Sequence, residues 1–233
     1  MMRNPDDLRR ALIEQADPDR ALELQRFFKT GKGQYAEGDR FLGLTVPSTR
    51  ATAASYTDFG LDELLELLQD DWHEVRLASL ILMTGLFKRA DPWQQHRILN
   101  AYLGHTRHIN NWDLVDVSAH KIAGPWFLNR DRHRLDGLVD SAWLWDRRIA
   151  VVATACFIRN GDLRSTFGYA ERLLQDPHDL MHKACGWMLR EAGKRDIDAL
   201  RAFLARHAQV MPRTMLRYAI EKMEPAERLQ WMA

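Results

Sequence analysis

The sequence lacks most of the features that would name a chemistry at once. It holds two cysteines in 233 residues, Cys156 and Cys185, far apart and each inside a helical pattern. They form no spaced framework and read as small buried hydrophobes, which suits a reducing compartment. No apolar run approaches the roughly 18 residues of a membrane span. The charged stretch from Met1 to Arg10 has no hydrophobic region behind it, so no secretory signal is expected. A cytoplasmic protein with no membrane partner is the resulting expectation. Net charge is nearly absent as well: 33 Lys and Arg stand against 32 Asp and Glu. Total charge therefore predicts no polyanion partner, although balanced charge can still be sorted by face and create a local field.

Strand signals are scarce, and helical periodicity takes their place. Leu61, Leu64, Leu65 and Leu68 repeat at i, i+3, i+4 and i+7, followed by Val75, Leu77, Leu80, Ile81 and Leu82 in a partner helix. The two-helix unit recurs as 93–103 with 112–123, 135–144 with 147–158, 169–174 with 180–191, and 197–205 with 212–223. Breaks carry Pro, Gly, Asp and Asn, as in Ala90-Asp91-Pro92, Asn160-Gly161-Asp162 and Asp176-Pro177. The pattern predicts an all-α, curved solenoid of HEAT-like two-helix repeats, read as a single domain over 1–233. A capped solenoid needs no partner copy, so a monomer is expected.

Within the repeats a basic residue is followed two positions later by a small one: Arg76 and Ala78, Arg148 and Ala150, Lys183 and Cys185, Arg217 and Ala219. The remaining copy, second in chain order, is Asp116 with Ser118. One carboxylate thus stands in a column of cations on the second helices, which commonly line the concave side of such stacks. Stacking does not require that exception. Two readings stand: Asp116 pairs with a neighbouring-repeat arginine such as Arg76 or Arg148, or it serves a site. Trp112 shares its helix face at i, i+4, Trp187 follows Lys183 by four residues, and Trp143 and Trp145 lead into Arg148. Aromatic faces, cations and one acid are the components for holding a nucleic acid while stabilising positive charge on it. Asn110 reads as the N-cap of this helix and Asp113 as its N3 acid.

The stretch 30–44, TGKGQYAEGDRFLGL, breaks the regularity with four glycines. Its Gly-Lys-Gly lacks the GxxxxGK[ST] spacing and follows no strand, so a connecting loop or short hairpin is expected. Lys29, Lys32, Tyr35 and Arg40 would make a projecting loop a backbone-contacting arm.

Asn111-Trp112-Asp113-Leu114-Val115-Asp116, Trp145-Asp146-Arg147-Arg148 and Gly186-Trp187-Met188-Leu189-Arg190-Glu191 together resemble the AlkD-like DNA alkylation repair family. Phe41-Leu42-Gly43 with Val46-Pro47 extends the similarity through nearly the whole chain. The resemblance implies a HEAT-like alkylpurine DNA glycosylase acting on alkylated double-stranded DNA without a cofactor or metal. It places the catalytic acid on Asp116, the adjoining aromatic on Trp112, the second aromatic wall on Trp187 and the lesion-strand arginine on Arg148. Arg76, Lys183, Arg217, Lys32 and Arg40 are the expected DNA contacts. A tyrosine common in the family falls on Phe27, which removes its hydroxyl.

The rival reading is a non-catalytic HEAT-like scaffold for branched or damaged DNA. Metal hydrolysis fares worse: His178 and His182 are i, i+4 on one helix, but HExxH is absent and no third ligand is evident. Cys156 sits among Val151, Val152, Ala155 and Phe157 with no general base in view, so an inert thiol is expected.

Overall fold

A computed structural model describes residues 4–233; the beginning of the charged N-terminal stretch, Met1–Arg3, lies outside the described residues. The chain divides into two compact units, the first ending at Ser118 and the second running Ala119–Ala233. The first holds α1 (Pro5–Ile13), α2 (Pro18–Phe27), α3 (Val46–Ala53), α4 (Leu61–Leu68), α5 (His73–Arg89), α6 (Pro92–Gly104) and α7 (Trp112–Ser118). The second holds α8 (Ala123–Phe127), α9 (His133–Val139), α10 (Leu144–Arg159), α11 (Arg164–Arg172), α12 (Asp179–Gly193), α13 (Ile197–His207), α14 (Arg213–Ala219) and α15 (Pro225–Met232). The fold is all-α, as the periodicity predicts. The one β-type pairing among the described residues is an isolated parallel bridge between Arg40 and Trp72. No helix among them is long and apolar enough to cross a membrane.

Helix starts follow the capping chemistry of the sequence. Asn4 and Asp7 form a reciprocal capping box at α1. The side chains of Asp17, Thr45, Asp91 and Asp196 each accept an amide three residues on. Such caps satisfy donors that the helix itself leaves open, at about 1 kcal/mol each. Proline in the first turn of α1, α2, α3 and α6 adds a preset φ where no N–H is needed. The break at Asn160-Gly161 uses a positive φ of 81° at Gly161.

In the second unit α10, α12 and α14 pack side by side, with α9 against α10, α11 against α12, and α13 against α12. Second helices of successive pairs thus lie against one another, and each pair covers its neighbour's apolar face, as stacked two-helix repeats require. α12 and α14 approach closely at Gly186, where an added Cβ would lie 2.5 Å from both the Met215 carbonyl oxygen and the Tyr218 Cβ. The glycine of the Gly-Trp motif is therefore what lets α14 reach α12.

One predicted helix is not continuous. The stretch expected over 112–123 is split: α7 stops at Ser118, a 3₁₀ turn covers Ala119–Lys121, and α8 starts at Ala123. Ser118 Oγ bonds back to the Leu114 carbonyl at 2.6 Å and meets the Tyr102 hydroxyl at 2.9 Å. Both hydroxyls are buried and satisfied at the point where the helix ends.

The substitution Gly186→Ala forces the backbones of α12 and α14 apart. Urea denaturation of the variant is expected to show a loss of about 1–3 kcal/mol, with the fold retained.

Candidate functional site

The first unit concentrates its buried charge around the start of α5. His73, Glu74 and Arg76 occupy its first turn, and all three are buried. Each has found a partner supplied by another segment. Glu74 accepts the backbone amides of Leu42, Gly43 and Leu44 at 2.8–3.1 Å. Gly43 has φ 91°, and a Cβ there would fall 2.2 Å from the Asp17 carbonyl oxygen, so only glycine fits this close approach. The glycine-rich stretch is accordingly no hairpin. It is a turn-rich segment anchored by Ala36, Asp39, Phe41, Leu42 and Leu44, with its 31–34 tip exposed.

Asp39 is the second anchor. Its carboxylate accepts from His73 Nδ1 at 2.9 Å, from Arg76 Nη2 and from Asn111 Nδ2 at 3.3 Å. On the other side of the ring, His73 Nε2 lies 2.8 Å from Asp113 Oδ2. Asp113 also accepts the Leu114 amide at 2.9 Å. Burial opposes charge on His73, but Asp113 and Asp39 outweigh it and raise the imidazole pKa to about 9. Burial likewise works against the Asp39 carboxylate, yet His73 and Arg76 hold it below the usual range.

Aromatic rings close over this charge. Phe41 stacks on His73 with centroids 4.3 Å apart, Phe28 stacks on Phe41 at 4.9 Å, and Trp112 stacks on Phe28 at 5.2 Å. Phe27 lies edge-on to Trp112 at 6.1 Å and is 63% exposed. Trp112 is thus seated on its inner face and bordered by an open phenyl ring. Asp116 is half-buried one turn further along α7. The structure places both on one short helix, as their spacing predicts. The cap differs by one residue: the Asn111 carbonyl accepts the Val115 amide, and Asn111 Oδ1 accepts the Trp112 amide. Asn110 instead accepts from Arg76 Nη2 at 3.3 Å.

The expected column of DNA-facing cations needs correction at Arg76. It is 5% exposed, and its guanidinium is spent on Asp39, Asn110 and the Asp70 and Asp71 carbonyls. Four acceptors inside the unit leave no face for a phosphate, so Arg76 braces the fold. Arg148, in the second unit, is also buried and donates from Nη1 to the Leu180 carbonyl at 2.8 Å. Lys183 pairs with Asp179 at 2.8 Å, and Arg217 is exposed. Arg40 lies over the Trp72 ring at 4.2 Å and beside Asp71 at 3.4 Å, while Lys32 is exposed on the loop tip. Trp187 lines a cavity of about 500 Å³ in the second unit together with Arg159, Lys194, Arg195 and Glu191.

Other expectations resolve simply. His178 caps α12 through Leu180, and His182 Nε2 lies 2.6 Å from the Asp176 carbonyl oxygen. Burial pushes the Cys185 thiol up to about 12 and raises that of Cys156, which removes both as thiolate nucleophiles near neutrality. Sequence reasoning missed Asp39, His73 and Glu74. The available signal was His73-Glu74-Val75-Arg76, three ionisable residues in four heading the largely apolar run 77–83.

Because the folded pKa of His73 lies above its unfolded value near 6.5, its stabilisation is complete below that pH. It is lost as pH rises through about 9. Between pH 7 and 9.5 wild-type stability should fall by about 2 kcal/mol more than that of His73→Gln, measured by urea denaturation of both.

The family model for the DNA alkylation repair enzyme matches residues 8–223. Among solved structures, one described as a "Predicted DNA alkylation repair enzyme from Enterococcus faecalis" aligns with a TM-score of 0.72 at 16% identity, covering 91% of this chain and 98% of that one. At that identity the likeness speaks for the fold. No curated protein matches the sequence. With the family model spanning nearly its whole length, this chain belongs to the DNA alkylation repair enzymes, and its role is in DNA repair.

Proposed function

We propose that the protein is a DNA glycosylase that hydrolyses the N-glycosidic bond of cationic N3- or N7-alkylated purines in double-stranded DNA. The observation that carries this reading is α7. A carboxylate, Asp116, lies one turn beyond Trp112, whose ring is stacked on Phe28 and bordered by the exposed ring of Phe27. Family membership supplies the context of alkylated DNA.

Glycoside hydrolysis ordinarily uses two carboxyl groups, one of them to protonate the leaving group. An N3- or N7-alkylated purine is already cationic, so it departs as a neutral base and needs no proton. What remains is to stabilise the positive deoxyribose and to align a water. A carboxylate about 5 Å from that charge, at an effective dielectric near 20, contributes roughly 3 kcal/mol. Trp112 adds attraction between its π-face and the oxocarbenium-like sugar. Trp187 and Arg148 belong to the second unit. Their proposed roles, a second aromatic wall and a hold on the lesion strand, rest on the family's pattern. Lys183, Arg217, Lys32 and Arg40 are proposed to meet phosphates, which positions the duplex without reading sequence. Lesion choice then follows charge and intrinsic lability more than base shape.

Asp116→Asn keeps the side-chain volume and removes the charge. Release of 7-methylguanine from methylated duplex should fall by a factor on the order of 10² with DNA affinity little changed. Wild-type protein that releases no base, or a variant that releases it equally well, supports the scaffold reading instead. Affinity for duplex DNA should also weaken steeply between 50 and 200 mM salt, by about tenfold for every two phosphates neutralised. A flat salt response in a binding titration counts against phosphate contacts by these cations.

A further inference from the structure

α7 is a poor helix by its own means. It spans Trp112–Ser118, with three β-branched or acidic residues among its middle positions, Val115, Asp116 and Val117. An isolated helix of this length does not form in water, so its geometry is imposed by what grips it. At its end the grip is the Tyr102–Ser118 hydroxyl pair. At its start it is the ionic chain Asp113–His73–Asp39–Arg76, with Asn111 bonded to the same Asp39.

The geometry of the ring is decisive about its charge. Both ring nitrogens of His73 face carboxylate oxygens, at 2.9 Å and 2.8 Å. A neutral imidazole donates from one nitrogen only, which would set its other lone pair against an anionic oxygen. The arrangement therefore calls for the imidazolium. With it, the chain contains two cations and two anions in a largely buried space, and Asp39 and Asp113 are both satisfied. The remaining ionisable neighbour on α5, Glu74, is turned to the amides of Leu42, Gly43 and Leu44. Phe41 and Phe28 cover the ring itself.

We propose that the His73 imidazolium is a positioning residue for the site on α7. One ring proton binds Asp39 in the glycine-rich segment and the other binds Asp113, which fixes the turn from which Trp112 and Asp116 project. The loop and the site helix thereby share one hydrogen-bonded cation, and neither keeps its placement when that cation is lost. The catalytic consequence rests on the glycosylase reading above; the placement of α7 does not.

The experiment compares wild type, His73→Gln and Asp113→Asn by amide hydrogen exchange and by single-turnover base release from methylated duplex. At pH 7 both variants should lose roughly tenfold in protection over residues 114–118, while α12 in the second unit keeps its own. Base release should slow by about tenfold with DNA affinity unchanged within about twofold. The alkaline limb of the rate profile should move to lower pH in Asp113→Asn, because one of the two anions that hold the ring proton is gone. A residue that merely stabilised the fold would shift neither the limb nor α7 selectively. Protection of 114–118 within about twofold of wild type in either folded variant overturns the proposal. If His73→Gln does not fold, Asp113→Asn, whose side chain is 10% exposed, decides alone. If wild type releases no base, the glycosylase reading fails and the exchange data still decide the placement of α7.

Discussion

A charge sealed away from water has to be answered by charge, and the first unit is organised around that requirement. His73 is 2% exposed, and an unpaired imidazolium in such a place would shed its proton. It is retained because two carboxylates from two different segments converge on its ring. Asp39 comes from the glycine-rich stretch and Asp113 from α7. Breaking either contact leaves an uncompensated buried charge, which costs more than the intact pair gains. Measured against well-packed apolar residues such a knot gains little, but it allows few alternative arrangements of the three segments it ties.

That tie explains how a seven-residue helix can present side chains reliably. Trp112 is seated by Phe28, and the first turn is gripped through Asp113. His73 and Asp113 stand 40 residues apart, the interval that also separates Arg76 from Asp116, so stacking of successive second helices brings them together. Asp39 obeys no such interval. It arrives from a segment without helical period, and it closes the chain from outside the repeat pattern.

Much of the architecture is legible because its signals are local. Asp91-Pro92 and Asn160-Gly161 mark helix boundaries through capping and a positive φ, and both boundaries stand where expected. Trp112 and Asp116 share α7, as i, i+4 spacing requires. The break after Ser118 is not legible, since Val117-Ser118-Ala119 is compatible with a continuing helix and the stop coincides with a buried contact to Tyr102. Arg76 departs from expectation for a related reason. Periodicity says which residues repeat on a helix but not what acid meets them, and the acid here is Asp39. The motif His73-Glu74-Val75-Arg76 carries the warning, because ionisable residues at the head of a largely apolar run must be matched from elsewhere.

Glu74 gives the glycine-rich segment a character its composition does not suggest. Runs of backbone N–H groups in such loops commonly form a small anion receptor. Here the amides of Leu42, Gly43 and Leu44 are already filled by a carboxylate of the protein's own. The segment is thus a receptor with a built-in guest. Those three amides stay closed to any nucleotide phosphate that meets the segment.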